Sequence, residues 1–94
     1  MRDLSWDDFR DSVGAVYSVE TPAGPLAVRL DVAQPLASSG RDGGSFRLEL
    51  VGPADPILPQ AIYPFSCEGE DPFEIFMVPV DRDAEGTRYE AIFY

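Results

Sequence analysis

The sequence predicts an all-β fold: a small antiparallel β-barrel or sandwich of about six strands with one short N-terminal α-helix. Three observations predict it. Apolar and polar residues alternate with a period of two in one segment after another from Ala15 to the end of the chain, as in strands that turn one face to a core. Clusters of Gly and Pro separate those segments at roughly regular intervals, as turns between short strands do. Finally, 94 residues with 45% apolar content support one core, and hence one domain over residues 1–94.

The helix is predicted over residues 5–13. Ser5 can cap it, Asp8 completes a capping box, and Leu4 and Phe9 form a hydrophobic staple around the cap. Asp7 and Asp8 stand in the first turn, where the helix dipole favours negative charge. Trp6, Phe9 and Val13 share one helical face, and Gly14 is the stop. Such a helix is placed to plug or cover a sheet.

The first strand is read over residues 15–21 and ends at the turn Pro22-Ala23-Gly24-Pro25. The second, over residues 26–33, puts Leu26, Val28, Leu30 and Val32 on one face. Residues 35–44 carry a Gly- and Ser-rich loop. The third strand, over residues 45–51, turns Phe46, Leu48 and Leu50 inward. A proline-rich loop with Pro53, Pro56 and Pro59 follows, stiff because each ring holds φ near one value. The fourth strand, over residues 60–67, contains Pro64, which demotes it towards an edge or a bulge. The fifth, over residues 72–80, is apolar on both faces and is therefore placed centrally. Residues 81–87 form a turn, and the last strand covers residues 88–94.

Composition excludes many chemistries. The chain has no His, no Lys and one Cys. Without His there is no Ser-His or Cys-His pair and no imidazole metal site; without Lys there is no Schiff base and no phosphate-loop lysine. A lone cysteine makes neither an intrachain disulfide nor a thiolate cluster. The net charge is −10, and the seven bases are dispersed arginines. Nucleic-acid binding and anionic membranes need clustered cations, so neither is an expected partner. The longest apolar run, Ile75 to Val80, has six residues, far short of the roughly 20 of a membrane helix. The acidic start carries no apolar signal core, which predicts a chain that is cytoplasmic when synthesised, with export as part of an assembly still open.

Three local features invite a chemical reading and receive a plainer one. Asp81, Asp83 and Glu85 with Gly86 begin like a calcium loop, but the twelfth position is Ile92 where a bidentate Glu is required. A polar hairpin turn is expected there. Glu68, Glu70 and Asp71 read as a solvated acidic loop, with docking of a basic partner as its sharper use. Cys67 has no neighbouring cation or base to activate it and reads as buried and inert. No catalytic, cofactor-binding or metal-binding residue is therefore assigned, and no cofactor is expected. Some of the eleven aromatic residues should sit at an interface, with Tyr94 the first suspect.

The run Phe46 to Pro53 and the stretch Leu58 to Tyr63 carry a family resemblance, continued by Ile75 to Val80 and Tyr89 to Phe93. On these residues, with Phe9 and Val13-Gly14, the chain resembles the small bacterial proteins grouped as domain of unknown function 6916, from about Phe9 to Tyr94. The segment Tyr63 to Asp71 is more acidic than that pattern, and Phe93-Tyr94 stands where a polar last residue is usual. The resemblance implies no site residue. It implies a setting beside phage-tail-like proteins, and so an assembly component. The function expected is a non-enzymatic structural or protein-interaction module whose partner is another protein or a second copy. The alternatives are a small-molecule or carbohydrate-binding barrel, a cofactor-free carboxylate enzyme, or an acidic nucleic-acid mimic.

Overall fold

The computed structural model describes residues 4, 6–36, 45–67 and 72–93. Ser5, residues 37–44 of the loop expected over 35–44, the acids Glu68, Glu70 and Asp71, and Tyr94 lie outside the described residues. Six strands follow in sequence: β1 (Val16–Thr21), β2 (Gly24–Pro35), β3 (Phe46–Gly52), β4 (Ala61–Ser66), β5 (Phe73–Asp83) and β6 (Gly86–Phe93). They close into a barrel in the order β1-β2-β3-β6-β5-β4, every neighbouring pair antiparallel. Of the two architectures open to the sequence, the chain forms the barrel.

Alternation explains why these segments close as they do. Phe46, Leu48 and Leu50 of β3 point inward, as do Val19, Val28, Leu30, Phe65, Ile75, Met77 and Tyr89 of the other strands, all essentially fully buried. The interior is filled with side chains, as expected for a barrel of few strands. Two bulges interrupt the alternation. Asp31 is the extra residue between Leu30↔Leu50 and Val32↔Glu49, and Val80 is the extra residue between Pro79↔Tyr89 and Asp81↔Arg88. The first corrects the sequence reading of β2. Val32 does not continue the inward row of Leu30, because the bulge moves it to the outward row opposite Glu49.

The N-terminal segment also differs from the sequence reading. Among the described residues of the expected helix, 6–13, there is no α-helix. A 3-10 turn over Trp6–Asp8 is followed by further turns, with Phe9 N–H and Ser12 N–H each bonded three residues back. Asp11, Ser12 and Val13 are poor helix formers, and Phe9 is drawn instead into the barrel mouth. There it packs against Phe46, Phe73 and Phe93, with ring centroids 5.8 to 6.5 Å away. Val13, placed on the same helical face by spacing, is exposed. The plugging role holds without the helix. Gly14 ends the segment at φ +96°, and its N–H donates to the Leu30 carbonyl.

The opposite mouth is closed by the β3–β4 loop. β3 and β4 are not neighbours in the barrel, so residues 53–60 must cross its end. Two tyrosines pin that crossing from inside. The Tyr89 hydroxyl accepts a hydrogen bond from Leu58 N–H at 2.9 Å, and the Tyr63 hydroxyl donates to the Pro59 carbonyl at 2.6 Å. Burial and the neighbouring Tyr89 push the Tyr63 phenol above its ordinary range, so it stays a donor.

Candidate functional site

With the interior filled, the outward residues and the seams between strands decide what the barrel can bind. The shortest ladder in the barrel is the one that closes it. β1 and β4 pair only at Ser18↔Ser66 and Val19↔Phe65. In the same register Glu20 would next meet Pro64, which has no N–H to offer a ladder. The β1–β2 hairpin is satisfied within itself instead. The Thr21 hydroxyl donates to the Gly24 carbonyl at 2.7 Å and accepts from Ala23 N–H at 3.2 Å. The seam therefore opens into a cleft of about 590 Å³, walled by residues 20–23, 56–59 and 61–64.

Four of the wall residues are prolines, Pro22, Pro56, Pro59 and Pro64, so the cleft is stiff before anything enters it. Leu58 and Tyr63, the residues held by the tyrosine bonds above, form part of its lining. Ile57 and Ile62 are its exposed apolar members.

Ile62 also belongs to a second feature. On the outer face of the barrel it pairs directly with Phe76 across β4–β5. Ile92 of β6 lies on that same outer face, one row beyond the Val78↔Glu90 pair. Ile62 is 63%, Phe76 52% and Ile92 39% exposed, a row of large apolar side chains across three adjacent strands. The sequence reading took β5 to be central because both its faces are apolar. The strand has neighbours on both sides, but its outward residue Phe76 is left in solvent.

The outer face of β2, β3 and β6 has the opposite character. Arg47 bonds Glu49, Glu90 at 3.1 Å and Gln34 at 3.0 Å. Arg88 bonds Asp83, Asp31 at 2.8 Å and Glu85 at 2.9 Å. Arg29 reaches Glu85 at 2.9 Å. Hydrogen bonding from Arg88 holds the Asp31 and Asp83 carboxyls below their ordinary range, and those same two bonds raise Arg88 itself.

The residues singled out in the sequence fall into place around these features. Asp83 and Glu85 spend their carboxylates on Arg88 and Arg29 in a two-residue hairpin turn, Ala84–Glu85, shorter than the loop expected over residues 81–87. Among the described residues no group of three His, Cys, Asp or Glu side chains is placed to hold a metal ion. Cys67 is half-buried rather than buried, beside an open depression formed by Val16, Ser18, Ala27 and Ser66. The cleft was not foreseen. Its signal was the combination of Pro22, Pro56, Pro59 and Pro64, which become neighbours only when β4 returns beside β1.

Comparison with known proteins adds a single likeness. No match is found among curated proteins, nor among solved structures. The family model described as Domain of unknown function (DUF6916) matches residues 4–93, nearly the whole chain. The six-stranded barrel with its apolar seam thus belongs to a member of the DUF6916 family, and all the elements that build the cleft fall within the matched residues.

Proposed function

We propose that this chain is a non-enzymatic protein-interaction module that contributes to a multiprotein assembly through the outer face of β4 and β5. The observation that carries the reading is the exposed row Ile62–Phe76–Ile92. Single exposed apolar residues are ordinary, but a row continuous with an apolar cleft marks a surface that another molecule covers. Composition supports the non-enzymatic part, since the chain has no His and no Lys. The ion pairing of Asp31, Glu49, Asp83, Glu85 and Glu90 weighs against a nucleic-acid mimic, whose carboxylates must stand free as phosphates do.

The test is capture on a tagged full chain from its host, with light scattering on the purified protein. A stoichiometric partner or a defined homo-oligomer is expected. It should be lost in Ile62→Ser/Phe76→Ser and kept in Val13→Ser, which removes an equally exposed apolar residue elsewhere. A monomer that captures nothing, or a partner indifferent to Ile62 and Phe76, overturns the reading.

A further inference from the structure

We infer that the seam cleft is the docking site for an extended segment of another protein in which apolar residues alternate with Arg or Lys. This inference rests on the interaction-module reading and names the partner's chemistry. Three observations lead to it.

The first is the geometry of the opening. Pairing between β1 and β4 stops after Val19↔Phe65, so Ile62, Tyr63 and Pro64 have no strand partner on the β1 side, and Glu20 and Thr21 have none on the β4 side. A chain lying between these two edges is extended by necessity, because only an extended backbone meets a strand edge along its length. Pro56, Pro59 and Pro64, with the tyrosine bonds to Leu58 and Pro59, stiffen the wall on the β4 side, and Pro22 stiffens the other. An entering strand then meets a preformed slot.

The second is the lining. The walls are largely apolar, with Ile57, Leu58 and Ile62 able to take the side chains on one face of such a strand. The strand's alternate side chains face outward, towards the rim.

The third is charge. Glu20 lines the cleft, Asp55 precedes the lining residue Pro56, and Glu74 lies opposite Pro64 in the β4–β5 ladder. None of these three carboxylates has an ion-pair partner among the described residues. Of the five described arginines, Arg10, Arg29, Arg47 and Arg88 are already held by acids, and Arg82 alone has no ion pair among the described residues. The rim thus offers unspent negative charge around an apolar slot. A second copy answers that poorly. A symmetric contact would set one acidic rim against another, in chains of net charge −10 each. A segment with Arg or Lys at alternate positions answers it directly.

The experiment titrates the isotopically labelled full chain with two ten-residue peptides, one alternating Val with Arg and one alternating Val with Glu. The Arg peptide should shift resonances of residues 20–23 and 56–64, and the Glu peptide should leave them unmoved. Binding should weaken by about tenfold on going from low to high salt, because screening acts on the rim contacts. Glu20→Gln/Glu74→Gln should weaken it several-fold with Tm unchanged, and Ile62→Asp should abolish it. Equal binding of both peptides, no binding of either, or shifts confined elsewhere overturns the inference. So does a dimer in sedimentation that Ile62→Asp dissolves. In any of these cases, a captured partner that still depends on Phe76 leaves the interaction-module reading standing, whereas failure of that capture removes both.

Discussion

Val51 and Phe76 occupy comparable places on the barrel and meet opposite fates. Each sits on an outward row of a strand with neighbours on both sides. Val51 stands between Arg29 of β2 and Arg88 of β6, and although it lies outside the core cluster it is only 6% exposed. Arginine stems cover apolar surface while their guanidinium groups stay wet, and here those groups are also tied to Asp31, Asp83 and Glu85. Phe76 has Ile62 beside it and remains half open to solvent. One face of the barrel has finished its own covering and the other has not. Inward packing is shared by both faces, so the difference lies in what covers the outward residues.

The ionic face depends on the β5–β6 hairpin, and breaking that hairpin should have the largest effect. Gly86 has φ +136°, and an added Cβ would lie 2.0 Å from the Gly52 carbonyl oxygen. Gly86→Ala should cost on the order of 3 kcal/mol or more, from backbone strain and a clash with main chain that cannot yield. Urea denaturation measures it. A loss below about 0.5 kcal/mol would show that the hairpin adapts and that the ionic face does not need this turn.

On the apolar side the frame is the tyrosine-pinned loop. Tyr89→Phe leaves the Leu58 N–H without its buried acceptor, which should cost about 1–3 kcal/mol. Denaturation should report the loss, and faster amide exchange at Leu58 should localise it to the wall of the cleft. A variant as stable as the parent would mean that water replaces the hydroxyl.

A smaller effect separates the faces by pH. Asp31 and Asp83 have folded pKa values below the ordinary 3.8 because Arg88 bonds their charged forms. Their contribution to stability is complete above that ordinary value and is lost as pH falls through the lower folded values. Arg88→Met should therefore lower Tm at neutral pH, and the gap from the parent should close as the pH falls through the lowered folded values of the two carboxyls. A gap that is constant with pH would mean that Arg88 acts by covering Val51 alone. The smallest effect belongs to the bare row. Ile62→Ser with Phe76→Ser should change stability by no more than about 0.5 kcal/mol, because both side chains are already largely in water. A larger loss in calorimetry would place them in the structural layer after all.

Much of the frame was legible in the sequence because strand alternation is a local signal. The inward row Phe46, Leu48 and Leu50 could be read directly, and each strand was located to within a few residues. The errors have one physical origin, which is that spacing shows periodicity but not its interruptions. Asp31 and Val80 look like ordinary strand residues until their partners show them to be bulged. The residues after Trp6 have helical spacing, yet Phe9 gains more by entering the barrel mouth than a short helix could return. The candidate site was the least legible part. An apolar outward position in β5 has the same sequence signature whether a neighbour buries it or leaves it bare.

The sequence by itself determined the all-β class, the inward rows of most strands, the acidic character and the absence of imidazole and lysine chemistry. These follow from residue identity and from the two-residue period, which need no knowledge of distant partners. Only the tertiary structure decided that the sheet closes into a barrel, that it closes incompletely between β1 and β4, and which outward residues are covered. Those outcomes depend on which strands become neighbours. Pro64 limits a seam only because β1 is the strand brought beside it, and Val51 is sheltered only because β2 and β6 set an arginine on each side.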